Sequence, residues 1–299
     1  MGGLRAYDYE PMTGSPAARH AGVVLAGGRS VRMGTAKAAL EWHGSTFLRR
    51  TVGIVGRAVD GPVVVVRAVG QRLPDLPFGT LVVDDPREDK GPVQGIAAGL
   101  TALLGRAESA FIASTDLPFL HPAFVTRVLR ALDGPDGPAV ALPVAHGYQQ
   151  PLAAGYRTGL GELAARLVEQ DRLRPAFLFE ACAVLRLDEA ALRADPVLAA
   201  LDPELDSLLN VNTPADYAAA RARPAPTVTV RLVGAGGASD PSRGPRLVPA
   251  ATIREAADAV RLPVGRTAPA ALNGVPVTDA TTPLVAGDEV SFLVAGPGD

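Results

Sequence analysis

Along most of this chain, short β-branched apolar runs alternate with Ala- and Leu-rich stretches whose apolar positions recur at helical spacing. The runs at residues 22–25 (GVVL), 62–66 (PVVVV), 81–83 and 110–113 lack the polar alternation of a half-exposed strand and predict strands buried on both faces. Helices are predicted between them at 46–58, with Ser45 as its cap, at 93–104, entered through Gly91-Pro92, and from about Pro122. Further strands at 138–142 and 152–156, and helices at 161–169 and 215–222, complete the pattern. This βαβ rhythm predicts a doubly wound α/β domain, which binds ligands at the carboxyl ends of its strands.

The pattern changes after residues 221–226 (RARPAP), a proline-bearing segment whose last four residues, 223–226, are read as a linker. Residues 227–232 (TVTVRL) alternate like a half-buried strand, a short helix is predicted at 252–260, and Asn273-Gly274 marks a hairpin. Gly287-Asp288 then opens a last strand. One helix on a small mixed sheet, a ubiquitin-like roll, is the predicted second domain. The organisation read from the sequence is a loose tail at 1–19, an α/β domain at 20–222, the linker, and a small domain at 227–299.

Composition narrows the function classes. With 29 basic and 31 acidic residues the net charge is −2, so no overall field draws the chain to nucleic acid or to a membrane surface. No apolar run approaches the roughly 18 residues of a spanning helix. The first twenty residues lack the apolar core of a secretory signal. The single cysteine, Cys182, fits a reducing, cytoplasmic setting and reads as a small buried hydrophobe, not a nucleophile. Four scattered histidines show no zinc-ligand spacing.

The chemistry concentrates after the first strand, in Leu25-Ala26-Gly27-Gly28-Arg29-Ser30-Val31-Arg32-Met33-Gly34-Thr35-Ala36-Lys37. Glycines let the backbone turn sharply and bring N–H groups to an anion, and Arg32 and Lys37 add positive charge where a triphosphate would lie. No Gly-Lys-Ser/Thr follows, so this is not a Walker loop. Asp116, just past a predicted buried strand, offers a hard oxygen ligand of the kind Mg²⁺ takes, while an Asx-type turn before Leu117-Pro118 is the structural alternative.

The motif resembles the opening of molybdenum cofactor guanylyltransferases, a Rossmann-like nucleotidyltransferase family. The resemblance continues in order through Asp85, Gly91-Pro92-Val93-Gln94-Gly95, Asp116-Leu117-Pro118-Phe119 and Gln150-Pro151-Leu152 to Asn210-Val211-Asn212-Thr213-Pro214. It implies a three-layer domain with a mostly parallel sheet that transfers GMP from GTP to the phosphate of molybdopterin and releases pyrophosphate. By the same resemblance Leu25, Ala26, Gly27, Gly28, Lys37 and Asp85 contact GTP, Asp116 holds Mg²⁺, and Asn212 lies near the metal; a polar loop after a strand is the alternative for Asp85, and a helix-start role for Asn212. Arg32 and Lys37 offset charge on the phosphates. Gln150 is a candidate for the acceptor side, with a strand-edge role as its alternative. Arg67 stands where the family more often carries an asparagine that touches the nucleotide. The alternatives are cytidylyl transfer to the same cofactor, transfer to another phosphorylated acceptor, or a non-enzymatic scaffold in cofactor biosynthesis.

Residues 227–299 resemble the sulfur-carrier subunit of molybdopterin synthase, a ubiquitin-like β-grasp protein, at 228–232, 252–256, Leu272-Asn273-Gly274 and 287–290. Such carriers work through a C-terminal Gly-Gly, whereas this sequence reads Gly296-Pro297-Gly298-Asp299. The expectation is therefore a domain that does not carry sulfur but docks other proteins of molybdenum cofactor biosynthesis or stabilises the fusion.

Overall fold

The computed structural model describes residues 17–27, 37–86, 91–134, 136–234, 244–262 and 269–294. By internal contacts these form two compact units. The first runs to Ala39 and resumes over Phe47–Asn212; the second comprises Leu40–Thr46 and the described residues from Thr213 onward.

The first unit is built on strands β1 (Ala18–Leu25), β2 (Val63–Ala68), β3 (Leu81–Asp85), β4 (Ala107–Ser114), β5 (Val140–Ala145), β6 (Tyr148–Gln149), β7 (Ala153–Arg157) and β8 (Val184–Asp188). Their order is β8-β5-β7-β4-β1-β2-β3, with β6 on β5. The pairs β1–β2, β1–β4, β2–β3 and β5–β8 are parallel, and β7 runs antiparallel to both β4 and β5. Helices α1 (Phe47–Gly56), α2 (Gly91–Ala102), α3 (Pro122–Arg130), α4 (Leu160–Glu169) and α5 (Pro175–Glu180) connect the strands, and α6 (Glu189–Arg193) and α7 (Pro196–Leu201) follow β8.

Alternation along β1 decides the layers. Val23 and Leu25 join α2, α4 and α5 in one buried apolar cluster. Gly22 faces the other way, where a Cβ would overlap Val55 of α1. On that second face Phe111 of β4 meets Phe124 of α3 edge-on, with ring centroids 6.2 Å apart. A helix–sheet–helix sandwich results, as the buried apolar runs predicted. The chain leaves β1 toward β2 and β3 on one side and returns with β4 on the other, so the topological switch point lies between β1 and β4.

The second unit contains helix α8 (Pro214–Ala222), strands β9 (Thr227–Val233), β10 (Arg246–Pro249), β11 (Ala270–Leu272), β12 (Val275–Val277) and β13 (Glu289–Leu293), and helix α9 (Ile253–Ala259). The strand order is β10-β9-β13-β11-β12, with the central β9–β13 pair parallel. Ile253 and Ala256 of α9 pack with Val228, Val230, Val290 and Phe292. The predicted hairpin turns at Asn273 (φ 50°) and Gly274 (φ 82°), the pair of positive φ angles that a two-residue loop of this type requires.

Several expectations are corrected. Ala18 and Arg19, read as tail, already belong to β1, and Ala18 is paired with Ala107. Ser45 does not cap α1: it pairs with Trp42 in a small hairpin, and its hydroxyl donates to the carbonyl of Thr46 at 3.4 Å. Helix α8, read as the end of the first domain, clusters with the second unit, because that hairpin docks on it: Trp42 Nε1 donates to the carbonyl of Ala220 at 2.8 Å, and Tyr217 Oη donates to that of Glu41 at 2.9 Å. Helices α5 to α7 and strand β8 were not foreseen. Among the described residues no helix is long and apolar enough to cross a membrane.

Candidate active site

Parallel pairing carries the sequence-predicted residues to one edge of the sheet. Leu25, the last residue of β1, is in register with Val66 on one side and with Ser114, the last residue of β4, on the other. Asp85 closes β3 opposite Ala68. Leu25 and Ala26 are buried, which fixes the base of the glycine loop, while Gly27 is exposed. Gly28 and Arg32 lie outside the described residues.

Two residues past β4, the Asp116 carboxylate accepts a short hydrogen bond from Ser114 Oγ. The loop that presents it is anchored twice. Leu117 is buried, and the buried side chain of Arg50, in α1, donates from Nε to the carbonyl of Pro118 at 2.7 Å. The main chain of Asp116 in turn positions a distant segment: its carbonyl accepts from Val211 N at 2.9 Å, which places Asn212 beside it.

Lys37 meets both. Its ammonium donates to Asn212 Oδ1 at 2.7 Å and lies 3.4 Å from Asp116 Oδ2. These two contacts span 175 and 79 positions of sequence, so only the fold brings the three side chains together. The Lys37 and Asp116 side chains keep 23% and 15% of their surface exposed, enough for a ligand to reach them while much of the surrounding water is excluded. A cation, a carboxylate and an amide oxygen thus converge at the switch point, where doubly wound sheets bind their ligands.

The other candidates are placed as follows. Arg67 Nε donates to Asp84 Oδ1 at 2.8 Å, and its Nη1 donates to the carbonyl of Gln71 at 3.1 Å. Gln150 Nε2 donates to the carbonyl of Ala145 at 3.4 Å and its backbone N–H to that of Pro143 at 2.9 Å, while its carbonyl accepts from Ala153 N–H at 3.1 Å. Cys182 donates to the carbonyl of Leu178 at 3.1 Å, and burial pushes its thiol above its ordinary pKa, which disfavours the reactive thiolate. Sequence reasoning missed Ser114, Arg50 and Gln71. Ser114 sits in the Ser-Thr-Asp run and is legible in retrospect; Arg50 and Gln71 carry no local signal.

Comparison with known proteins assigns this geometry to a family. The sequence profile described as the MobA-like NTP transferase domain matches residues 22–185. The chain belongs to that family. Among similar relatives of this family, a probable molybdenum cofactor guanylyltransferase of Methanosarcina acetivorans is 33% identical over 207 residues, covering 65% of this chain and 86% of the relative. A protein of the same description from Mycobacterium tuberculosis is 36% identical over 170 residues, covering 56% of this chain and 82% of its own length. Among solved structures, molybdopterin-guanine dinucleotide biosynthesis protein A from Archaeoglobus fulgidus superposes with a TM-score of 0.52 at 23% identity, covering 68% of this chain and 96% of its own, a likeness of fold. The MobA-like profile ends at residue 185, so the part of the second unit from Thr213 onward lies beyond it.

Proposed function

We propose that this protein transfers GMP from GTP to the terminal phosphate of molybdopterin, releasing pyrophosphate and forming the guanine dinucleotide cofactor. The observation that carries the reading is the convergence of Lys37, Asp116 and Asn212 at the switch point, within the domain that defines the family. The guanylyltransferase relatives suggest the substrates.

The reaction joins two anions, so its barrier is largely charge repulsion, which positioning and fixed positive charge relieve. The attacking phosphate is already ionised and needs no general base. Lys37 meets the charge that builds on the α-phosphate and the departing pyrophosphate, with Arg32 assisting from the glycine loop. Leu25, Ala26, Gly27 and Gly28 offer backbone groups to the nucleotide, and Asp85 contacts it from the end of β3.

Among the described residues no cluster of three or more His, Cys, Asp or Glu side chains is placed to hold a metal ion. The donors present nevertheless fit Mg²⁺, which usually takes one or two carboxylates and completes its shell with water and substrate phosphates. Asp116 Oδ2 and Asn212 Oδ1 both face one cationic group, the Lys37 ammonium, so two hard oxygens already converge on positive charge. Asp116 would hold the ion, with Asn212 beside it. Bound there, Mg²⁺ would neutralise phosphate charge. Ser114 orients the Asp116 carboxylate, and Arg50 holds the loop that carries it.

The C-terminal sheet, with its parallel central pair and single packed helix, supports a ubiquitin-like β-grasp reading and a role in docking other proteins of the same pathway. The test of the whole reading is pyrophosphate release from each of four NTPs with Mg²⁺ and molybdopterin. Turnover with GTP well above CTP, ATP and UTP supports it, and equal or greater turnover with CTP rejects the guanine assignment.

A further inference from the structure

Strands β1 and β2 are joined at their carboxyl ends in a way a plain parallel ladder is not. The ladder is regular up to Ala26, whose N–H donates to the carbonyl of Val66 at 2.8 Å. The next bond of a parallel pair would run from Ala68 N–H to the carbonyl of Ala26. Instead, the side-chain amide of Gln71 stands between them. Ala68 N–H donates to Gln71 Oε1 at 3.0 Å, and Gln71 Nε2 donates to the carbonyl of Ala26 at 2.9 Å.

One ladder bond is thus replaced by two, and the strand ends are held apart by the width of an amide. Gln71 is itself fixed. The turn through Gly70 (φ 74°) is closed by Gln71 N–H donating to the carbonyl of Ala68 at 3.0 Å. Arg67 Nη1 holds the Gln71 carbonyl, and Arg67 Nε is paired with Asp84 on the neighbouring strand. Arg67 therefore serves as a brace for the glutamine.

The consequence reaches the glycine loop through peptide geometry. In a trans, planar peptide the carbonyl of one residue and the N–H of the next point in opposite directions. Because Gln71 holds the Ala26 carbonyl on the β2 side, the N–H of Gly27 is directed to the β4 side, toward the switch point. No hydrogen-bond partner for that N–H is found among the described residues.

We propose that Gln71 is a positioning residue for the nucleotide: its amide wedges β1 from β2 and, through the Ala26 carbonyl, aims the Gly27 N–H at the bound NTP. The inference rests on the nucleotidyltransferase reading above and adds a residue to it.

The test is Gln71→Leu and Gln71→Met in the full chain, two apolar replacements of similar size that remove both amide bonds. GTP affinity is measured calorimetrically, and KM for each substrate and kcat kinetically, with Val168→Ala, a buried α4 change, as the stability-matched control. Both Gln71 variants are expected to weaken GTP about ten-fold, while KM for molybdopterin and kcat at saturating GTP stay within about two-fold of the parent. Wild-type GTP affinity in whichever Gln71 variant folds overturns the proposal, as does an equal loss in Val168→Ala. If the parent protein binds none of the four NTPs, the functional reading itself fails, an outcome distinct from both.

Discussion

The seat of α2 on β1 is tight enough to yield a quantitative prediction. A Cβ added at Gly99 would overlap Val23 Cγ1 and lie 3.0 Å from Cγ2 and 3.3 Å from Cβ. Val23 is fully buried and β-branched, so its side chain has little rotamer freedom with which to yield. Gly99→Ala therefore forces the helix away from the strand whose end carries the glycine loop. Overpacking of this kind costs about 1–3 kcal/mol, and the helix propensity gained on replacing glycine by alanine offsets about 1 kcal/mol. A net loss of up to about 2 kcal/mol is expected, a fall of up to roughly 8 °C in the transition of a domain this size. The clash is with one side chain, so Val23→Ala should relieve it. In the double variant, the loss should be smaller than the sum of the single losses by about 1 kcal/mol. Scanning calorimetry of the full chain, read on the transition of the larger unit, measures all three. Strict additivity would refute the assignment of the clash to Val23.

Other consequences follow from neighbouring contacts. Arg50→Met strands the buried Pro118 carbonyl and should cost about 1–3 kcal/mol while lowering kcat, because the Asp116 loop loses its anchor; unchanged kcat in a folded variant counts against that anchoring. His20 bonds Ser109 Oγ at 2.8 Å through Nδ1, and its Nε2 lies 3.4 Å from Asp133. Burial, which outweighs the pull of Asp133 and Asp60, holds its pKa below the ordinary 6.5. The unfolded chain then binds the extra proton first, so this contribution is complete above about pH 6.5 and is lost as pH falls through the folded value. His20→Gln should flatten that acid-side slope in denaturant unfolding, and an undiminished slope would show that the dependence arises elsewhere.

The hydrophobic pattern made most of the first unit legible for a physical reason. Strands such as β2, buried on both faces, must be apolar at consecutive positions, and helices such as α4, which buries Leu160, Ala164, Leu167 and Val168, must repeat at 3.6 residues. The region of α5 to α7 follows no such rule: these are six-residue or shorter helices, and α6 and α7 start on local side-chain caps, such as the Asp195 carboxylate on Val197 N and Leu198 N. Ser45 misled because a good N-cap residue also suits a strand, and pairing with Trp42 decided between them. At the site, Lys37 and Asp116 were legible as residue types in a phosphate-binding pattern. Their meeting with Asn212 was not, since it depends on a backbone bond between Val211 and Asp116 across the fold. Gln71 was invisible because its role is to replace a main-chain bond, and nothing local in the sequence marks the missing ladder contact.

The central claim is that Lys37 stands at the phosphates of a bound nucleotide, opposite Asp116. The chain contains only two lysines, Lys37 and Lys90, which makes a direct measurement simple. An acyl-phosphate derivative of GTP, which acylates a lysine amine lying beside its phosphates, is incubated with the protein and Mg²⁺, and the modified peptides are identified by mass spectrometry. Acylation at Lys37, suppressed by excess GTP and diminished in Asp116→Ala, is the expected result. Acylation absent from Lys37, or present there but indifferent to GTP, would contradict the account.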